Sequence, residues 1–261
     1  MREQAVPRGW DKDVPAPAAV AEATHPLRTA IPTPRPPSLL RRAADIVVCS
    51  AAIVVLAPAL LVIALAVRLT STGPVLYQQT RVGINRRSAE HDRRQRAGGV
   101  LAHDRRRADR RTIASAGRLF RIYKFRTMVE DAEARLGPTW ASQNDSRVTP
   151  LGKFLRRTRL DELPQLFNVL RGDMTLIGPR PERPFFVEKF RRAIPGYMER
   201  LSVPPGITGL AQVEHRYDTN VEDVRLKLEY DVRYVRTQSL GVDLGILLKT
   251  VRVMLTGEGA H

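Results

Sequence analysis

The stretch from Ile46 to Val67, IVVCSAAIVVLAPALLVIALAV, carries no charge over about 22 positions, and a helix of that length spans the hydrocarbon core of a bilayer. Any fold of this chain must offer one long apolar element to lipid or bury it completely. The run begins far from Met1 and its apolar core is too long for a cleaved signal peptide, so it is expected to persist. Pro58 lies near its middle and removes a rung of the helical ladder, where a sharp bend can form. Arg41 and Arg42 flank one end and Arg68 the other, so no one-sided basic bias orients a single span. Two topologies fit: a helix that enters, bends at Pro58 and returns, and a kinked single span, since proline is tolerated in membrane helices. Asp45, just inside the basic flank, is expected to pair with Arg41 or Arg42.

The rest of the chain is of globular composition, and 261 residues with 43% hydrophobic content suit one core with appendages. Lys and Arg number 43 against 27 Asp and Glu, a net charge of +16 that points to anionic partners: nucleic acid, an anionic lipid surface or phosphorylated substrates. The single cysteine, Cys49, excludes an internal disulfide and reads as a small buried hydrophobe without a redox role.

Residues 1–38, rich in Pro and Ala, read as a disordered tail, residues 39–70 as the membrane segment and residues 71–261 as the globular domain. Within that domain, residues 86–111 hold ten arginines against four acids and read as a basic loop. The loop lacks the interleaved aromatics that base stacking uses, so no nucleic-acid partner is expected, and a solvated insertion resting on anionic headgroups is favoured.

Periodicity places the elements. Val75, Leu76 and Tyr77 after the Gly73-Pro74 turn favour a strand, and GRLFRIYKFRTM alternates with period two, putting Lys124 and Arg126 on one strand face. Leu151, Phe154 and Leu155 suggest a short helix that delivers Arg156 and Arg157. PPGITGLAQV reads as a turn followed by an apolar strand. Phe185, Val187, Phe190, Ile194 and Tyr197 lie among basic residues in a pattern that suits an interfacial helix or an ordinary surface helix equally. Leu226 to Gly259 reads as two helices broken near Ser239 to Gly241. The predicted class is α+β, mostly helical.

The stretch LDELPQLFNVLRGDMTLIGPRPE, Leu160 to Glu182, carries the chemistry. Asp161 is a favourable N-cap, Glu162 a favourable first-turn acid, and Pro164 is tolerated in a first turn. Leu163, Leu166, Phe167 and Leu170 form an apolar face, and Gly172 supplies the stop. Free amides at such a helix start favour an anion, so Asp161 is expected to stay ionised. Taken alone, the acidic pair is either a cap with a dipole-complementing neighbour or a reactive dyad.

Together with RRAADI, GPVLYQQTRVG, YKFRTM, RVTPLGKFLRRTRLDELPQ, PPGITGLAQV and LKLEYDVRYV, this stretch resembles the bacterial sugar transferase family, the monotopic polyprenyl-phosphate phosphoglycosyl transferases. The resemblance implies an enzyme that moves a sugar 1-phosphate from a UDP-sugar to undecaprenyl phosphate, releasing UMP, as the first membrane step of exopolysaccharide or other glycan assembly. It implies Asp161 as nucleophile through a covalent aspartyl intermediate, Glu162 as a ligand of Mg2+, and a re-entrant helix hinged at Pro58. Arg180, fixed between prolines, matches a motif associated with the nucleotide, and Lys124 and Arg126 match the family's basic strand. Arg156 is the candidate phosphate contact by its position before the dyad. Asp173 is either a helix-end turn residue or a helper at the metal. The implied location is the cytoplasmic face of a bacterial inner membrane, with membrane lipid as partner. The alternative is a membrane-anchored basic polyanion-binding or scaffold protein.

Overall fold

The structure, a computed structural model, describes residues 35, 37–84, 117–130, 145–214 and 221–256. The expected tail and arginine-rich loop fall almost wholly outside the described residues. Helix α1, Leu39–Thr70, opens with the Ser38 hydroxyl accepting from the amide of Arg41 and runs as a single element through Pro58. The expected break is therefore absent as a helix end: proline deletes one rung of the ladder, and the turns on either side continue. Among the described residues α1 alone is long and apolar enough to cross a membrane.

One stripe of α1 faces the protein. Cys49, Ala52 and Ile53 pack against Phe120, Ile122, Leu166, Val169 and Met174, and beyond Pro58 a second set, Leu60, Ile63, Ala64 and Val67, packs against Val75, Phe125, Leu151 and Leu155. This i, i+3, i+4 recurrence marks the face that the helix turns to the core. Its opposite face is just as apolar, with Val47, Val54, Val55, Leu61, Val62, Leu65 and Leu69 exposed.

Both ends of α1 are fastened to the same domain. Arg41 pairs with Asp243 at 3.1 Å, and Arg42 donates to the carbonyls of Val169 at 2.5 Å and Leu170 at 2.7 Å. Asp45 does not pair with either arginine as expected. It accepts from the Thr175 hydroxyl at 2.7 Å and the Leu176 amide at 3.2 Å, because both arginines are drawn off to other partners. At the far end, Arg126 donates to the carbonyls of Val67 and Ser71 and to the Ser71 hydroxyl.

Strands β1, Leu76–Val82, and β2, Leu119–Phe125, form an antiparallel ribbon with Leu76 opposite Phe125 and Val82 opposite Leu119. Helix α2, Pro150–Arg157, is capped by Thr149, whose hydroxyl accepts from the Gly152 amide at 2.9 Å. It lies so close to the segment after β2 that a Cβ on Gly152 would stand 2.1 Å from the Thr127 carbonyl oxygen. Then come a 3-10 turn, Leu160–Glu162, and helix α3, Gln165–Arg171, which ends at Gly172 with φ 78°, the left-handed stop read from the sequence.

Strands β3, Thr175–Ile177, and β4, Gly206–Thr208, pair in parallel. Between them lie α4, Pro184–Ala193, and a 3-10 segment, Tyr197–Ser202. The α4 pattern resolves as an ordinary core-facing helix: Phe186, Val187 and Phe190 join Ile194, Tyr197, Val224, Leu228 and Val232 in the largest core cluster. The expected apolar strand after PPGITG is instead a short helix, α5, Leu210–Glu214, because Gly209 turns the chain and its carbonyl accepts from Gln212 and Val213. Helices α6, Val221–Thr237, and α7, Leu240–Thr256, are broken where the sequence indicated. Helix α7 buries Ile246 and leaves Leu240, Leu244, Leu248 and Val251 as an exposed apolar stripe. Among the described residues the architecture is mostly helical with two two-stranded sheets.

Candidate active site

Four segments converge on one acidic pair: β2 brings Lys124, α2 brings Arg156, the 3-10 turn brings Asp161 and Glu162, and the loop after β3 brings Arg180. The turn is entered through Arg159, whose φ of 59° is the one left-handed non-glycine backbone among the described residues. Such a conformation costs about 1–3 kcal/mol, and surrounding structure must hold it. Its effect is to reverse the chain tightly, so that residues on either side of the reversal share one small space.

Asp161 is therefore not the N-cap expected from its sequence position. Pro164 occupies the N-cap of α3, and Asp161 sits a turn earlier inside the 3-10 segment. Asp161 and Glu162 are 6% and 8% exposed, which takes two adjacent carboxylates largely out of water.

Glu162 is the anchored member. Lys124 Nζ donates to Oε1 at 2.9 Å, and Arg180 forks across the carboxylate, Nη2 to Oε1 at 2.5 Å and Nη1 to Oε2 at 3.1 Å. Burial alone would raise its pKa, but Arg180 and Lys124 outweigh burial and hold the carboxyl well below the usual range. Asp161 has the opposite balance. Burial raises it above the usual aspartate value, the neighbouring Glu162 charge adds to the rise, and Lys124, Arg180 and Arg156 only partly offset both. Asp161 is therefore harder to ionise than an aspartate at an open helix start, because of this desolvation. The two carboxyls titrate as a pair in which Asp161 takes the proton first as the pH falls.

Arg156 Nε donates to the Thr127 hydroxyl at 2.9 Å, while its two terminal nitrogens have no hydrogen-bond partner among the described residues. Its charge acts on Asp161. A half-buried guanidinium with a free fork beside a buried carboxylate suits a phosphoryl group, whose oxygens match that fork.

Two residues singled out in sequence lie elsewhere. Strand β2 stops at Phe125, so Arg126 leaves the face it was expected to share with Lys124 and turns to Ser71, Pro74 and Val67 at the end of α1. Asp173 pairs with Arg118 at 3.5 Å and Arg171 at 3.7 Å. No group of three His, Cys, Asp or Glu side chains that could cage a metal ion converges among the described residues.

Beside the leucine stripe of α3 runs a polar one, Gln165 and Asn168 on the helix and Glu162 in the 3-10 turn before it, spaced three apart. Asn168 is fully buried and docks α3 on β2, donating to the Arg121 carbonyl at 2.7 Å and accepting from the Tyr123 amide at 3.1 Å. Gln165 is fully buried one turn after Asp161, and its carboxamide has no hydrogen-bond partner among the described residues. Buried polar groups are nearly always partnered, so Gln165 marks a place where a bound group is expected. The signal for it in the sequence is a polar i, i+3, i+6 series running from the turn into so short a helix.

Residues 37–91 and 98–257 match a family model described as bacterial sugar transferase; the match pauses inside the arginine-rich stretch. The chain is 42% identical over 224 residues to a UDP-N-acetylgalactosamine-undecaprenyl-phosphate N-acetylgalactosaminephosphotransferase of Aeromonas hydrophila, covering 86% of this chain and 45% of that protein. It is 39% identical over 225 residues to a UDP-glucose:undecaprenyl-phosphate glucose-1-phosphate transferase of Escherichia coli strain K12, covering 85% and 42%. A protein of the same description from Caulobacter vibrioides is 37% identical over 257 residues, covering 96% and 83%. The chain thus spans under half the length of the first two relatives and most of the third.

Proposed function

The chain belongs to the bacterial sugar transferase family, and from that premise we propose that it transfers a sugar 1-phosphate from a UDP-sugar to undecaprenyl phosphate through a covalent Asp161 intermediate. The observation that carries this reading is the dyad: one carboxylate immobilised by Lys124 and Arg180, and beside it a second that accepts no hydrogen bond among the described residues. A nucleophile needs a free lone pair, and Asp161 has it.

In the first half-reaction an Asp161 carboxylate oxygen attacks the sugar-bearing phosphorus, the bond from that phosphorus to the bridging oxygen breaks, and UMP leaves with the electron pair. In the second, an oxygen of the lipid phosphate attacks the same phosphorus and expels the carboxylate, giving the polyprenyl diphosphate sugar. Arg156 binds the phosphoryl oxygens with its free fork. Lys124 and Arg180 hold Glu162 still and supply the positive field in which charge is redistributed, in surroundings dry enough for that field to act strongly.

The cofactor called for is Mg2+, which on a diphosphate donor needs only one or two protein carboxylates beside the phosphate oxygens. Glu162 would hold it through Oε2, which accepts a single hydrogen bond, and when bound the ion neutralises diphosphate charge. Asp173, engaged with Arg118 and Arg171, lies outside this ligand set.

The attachment of both ends of α1 to one domain supports the re-entrant reading of the membrane segment over a single span, since a span would carry one end away. The catalytic domain then rests on the face of the membrane where UDP-sugars are made, the cytoplasmic face of the inner membrane, with the dyad at the depth of the lipid phosphate. No observation favours a polyanion-binding or scaffold role. The reading is tested by incubating the purified protein with undecaprenyl phosphate, Mg2+ and a panel of UDP-sugars that includes UDP-glucose and UDP-N-acetylgalactosamine, and measuring UMP. Release of UMP by the parent and not by Asp161→Asn supports it; no release with any donor overturns it.

A further inference from the structure

Arg180 stands between two prolines, neither of which has an N–H to tie down, so its segment is held by its carbonyls. Four consecutive ones are engaged from different parts of the fold. The Pro179 oxygen accepts from the Gly206 amide of β4 at 3.0 Å, Arg180 from Arg200 Nη2 at 2.8 Å, Pro181 from Arg81 Nη1 at 3.1 Å, and Glu182 from the Val82 amide at 3.0 Å. The second anchor grips the very residue whose side chain enters the dyad.

Arg200 is 2% exposed and is held from two further directions. Its Nε and Nη2 lie 2.9 Å and 2.8 Å from Asp231 Oδ2 on α6, and Nη1 donates to the Tyr197 hydroxyl at 2.9 Å. A buried ion pair is seldom more stabilising than apolar residues of the same volume. What an arginine supplies that an apolar residue cannot is direction, because its planar fork fixes several acceptors at once. Here those acceptors are α6, the 3-10 segment and the backbone of Arg180.

We propose that Arg200 is a positioning residue for phosphoryl transfer, acting through the Arg180 carbonyl to set the aim of the Arg180 guanidinium on Glu162. The proposal rests on the placement of Arg180 in the active site given above. Arg200 touches neither Asp161 nor Glu162, so its effect must travel through Arg180, and this is what a double-mutant cycle detects.

Arg200→Lys keeps a cation opposite Asp231 but cannot hold three acceptors. Its kcat is expected to fall on the order of 10-fold or more, with donor KM changed by less than about 2-fold, since small misplacements cost rate before binding. In an Arg180→Ala background the same substitution is expected to cause no further loss. An equal loss in both backgrounds, or a fall that follows the thermal midpoint alone, overturns the proposal. Should Arg200→Lys not fold, Tyr197→Phe, which deletes one hydroxyl, carries the same cycle with the same two outcomes. A readout independent of turnover separates this proposal from the functional one: the 15Nε–Hε signal of Arg180 should become motionally averaged in Arg200→Lys while that of Arg156 is unchanged. If the parent transfers nothing from any donor, the functional reading fails, and an unaltered Arg180 signal would still by itself reject the positioning link.

Discussion

Arg180 meets Glu162 as a two-pronged clamp, with Nη1 on Oε2 at 3.1 Å and Nη2 on Oε1 at 2.5 Å. A clamp of this kind fixes the plane of the carboxylate as well as its position, which a lysine cannot do. Arg180→Lys is therefore expected to keep the charge and lose the orientation, lowering kcat about 10-fold or more with a modest stability cost. Arg180→Ala leaves Glu162 to Lys124 alone and should cost roughly 2–3 kcal/mol, below the range for a fully orphaned buried charge. Steady-state kinetics and thermal unfolding of the two variants check both statements.

Asp161 stands against the folded state at neutral pH. Its folded pKa is raised, so folding favours the protonated form, and keeping it ionised costs stability at any pH above that folded value. Asp161→Asn should abolish transfer, by roughly 10³-fold or more, and raise the midpoint of thermal unfolding at pH 7. A variant that is both inactive and less stable would contradict this assignment.

Glu162 contributes in the opposite sense. Its folded pKa is depressed, so its stabilisation is present above the ordinary glutamate value and is lost as the pH falls through the depressed folded value. Glu162→Gln should lower the thermal midpoint at pH 7, and the gap between parent and variant should close in acid. Denaturation series at neutral and acidic pH measure that convergence.

The rate should have an acid limb set by the dyad above the range of an ordinary aspartate, because the proposed attack by Asp161 needs its carboxylate form. Arg156 is one of the cations that pull the Asp161 pKa down. Arg156→Gln is expected to move the limb to higher pH and to raise donor KM. A limb that stays in place while KM rises would mean that Arg156 binds phosphate without tuning the nucleophile.

Arg126 should behave as a structural residue. Removing it leaves the carbonyl of Ser71 and its hydroxyl without their donor, at a cost of about 1–3 kcal/mol, and loosens the junction between α1 and β1. Arg126→Gln is expected to lower the thermal midpoint and quicken proteolysis near Gly73 while donor KM is unchanged. A selective rise in KM would return Arg126 to the substrate site.

Much of the site was legible because its chemistry is local in sequence. Asp161, Glu162, Arg156 and Arg180 lie within about two dozen residues, and prolines and Gly172 punctuate them strongly enough to fix where the chain turns. Strands β1 and β2 were legible from their alternation, and the α6–α7 break from Ser239. What escaped depends on partners far along the chain. Asp45 looks paired with Arg41 until α7 and α3 claim both neighbouring arginines. Arg126 shares a face with Lys124 only if the strand continues, and one residue decides that. Asp161 looks ionised at a helix start and becomes harder to ionise once three other segments close over its turn. Each miss is a tertiary effect that local periodicity does not contain.

The stripe of α1 from Cys49 to Val67 supplies part of two core clusters, and its residues lie against Phe120, Ile122 and Phe125 of the strand that carries Lys124. Helix α1 is thus part of the packing that supports the strand carrying Lys124. Cutting the chain after Thr70 would uncover Phe120, Ile122, Leu166, Phe125 and Leu155, so a fragment without α1 is expected to be less stable and poorly soluble. On the proposed membrane placement, lipid would press on the outer face of the same helix, and bilayer thickness or a change of detergent should then register at the active site as a change in rate.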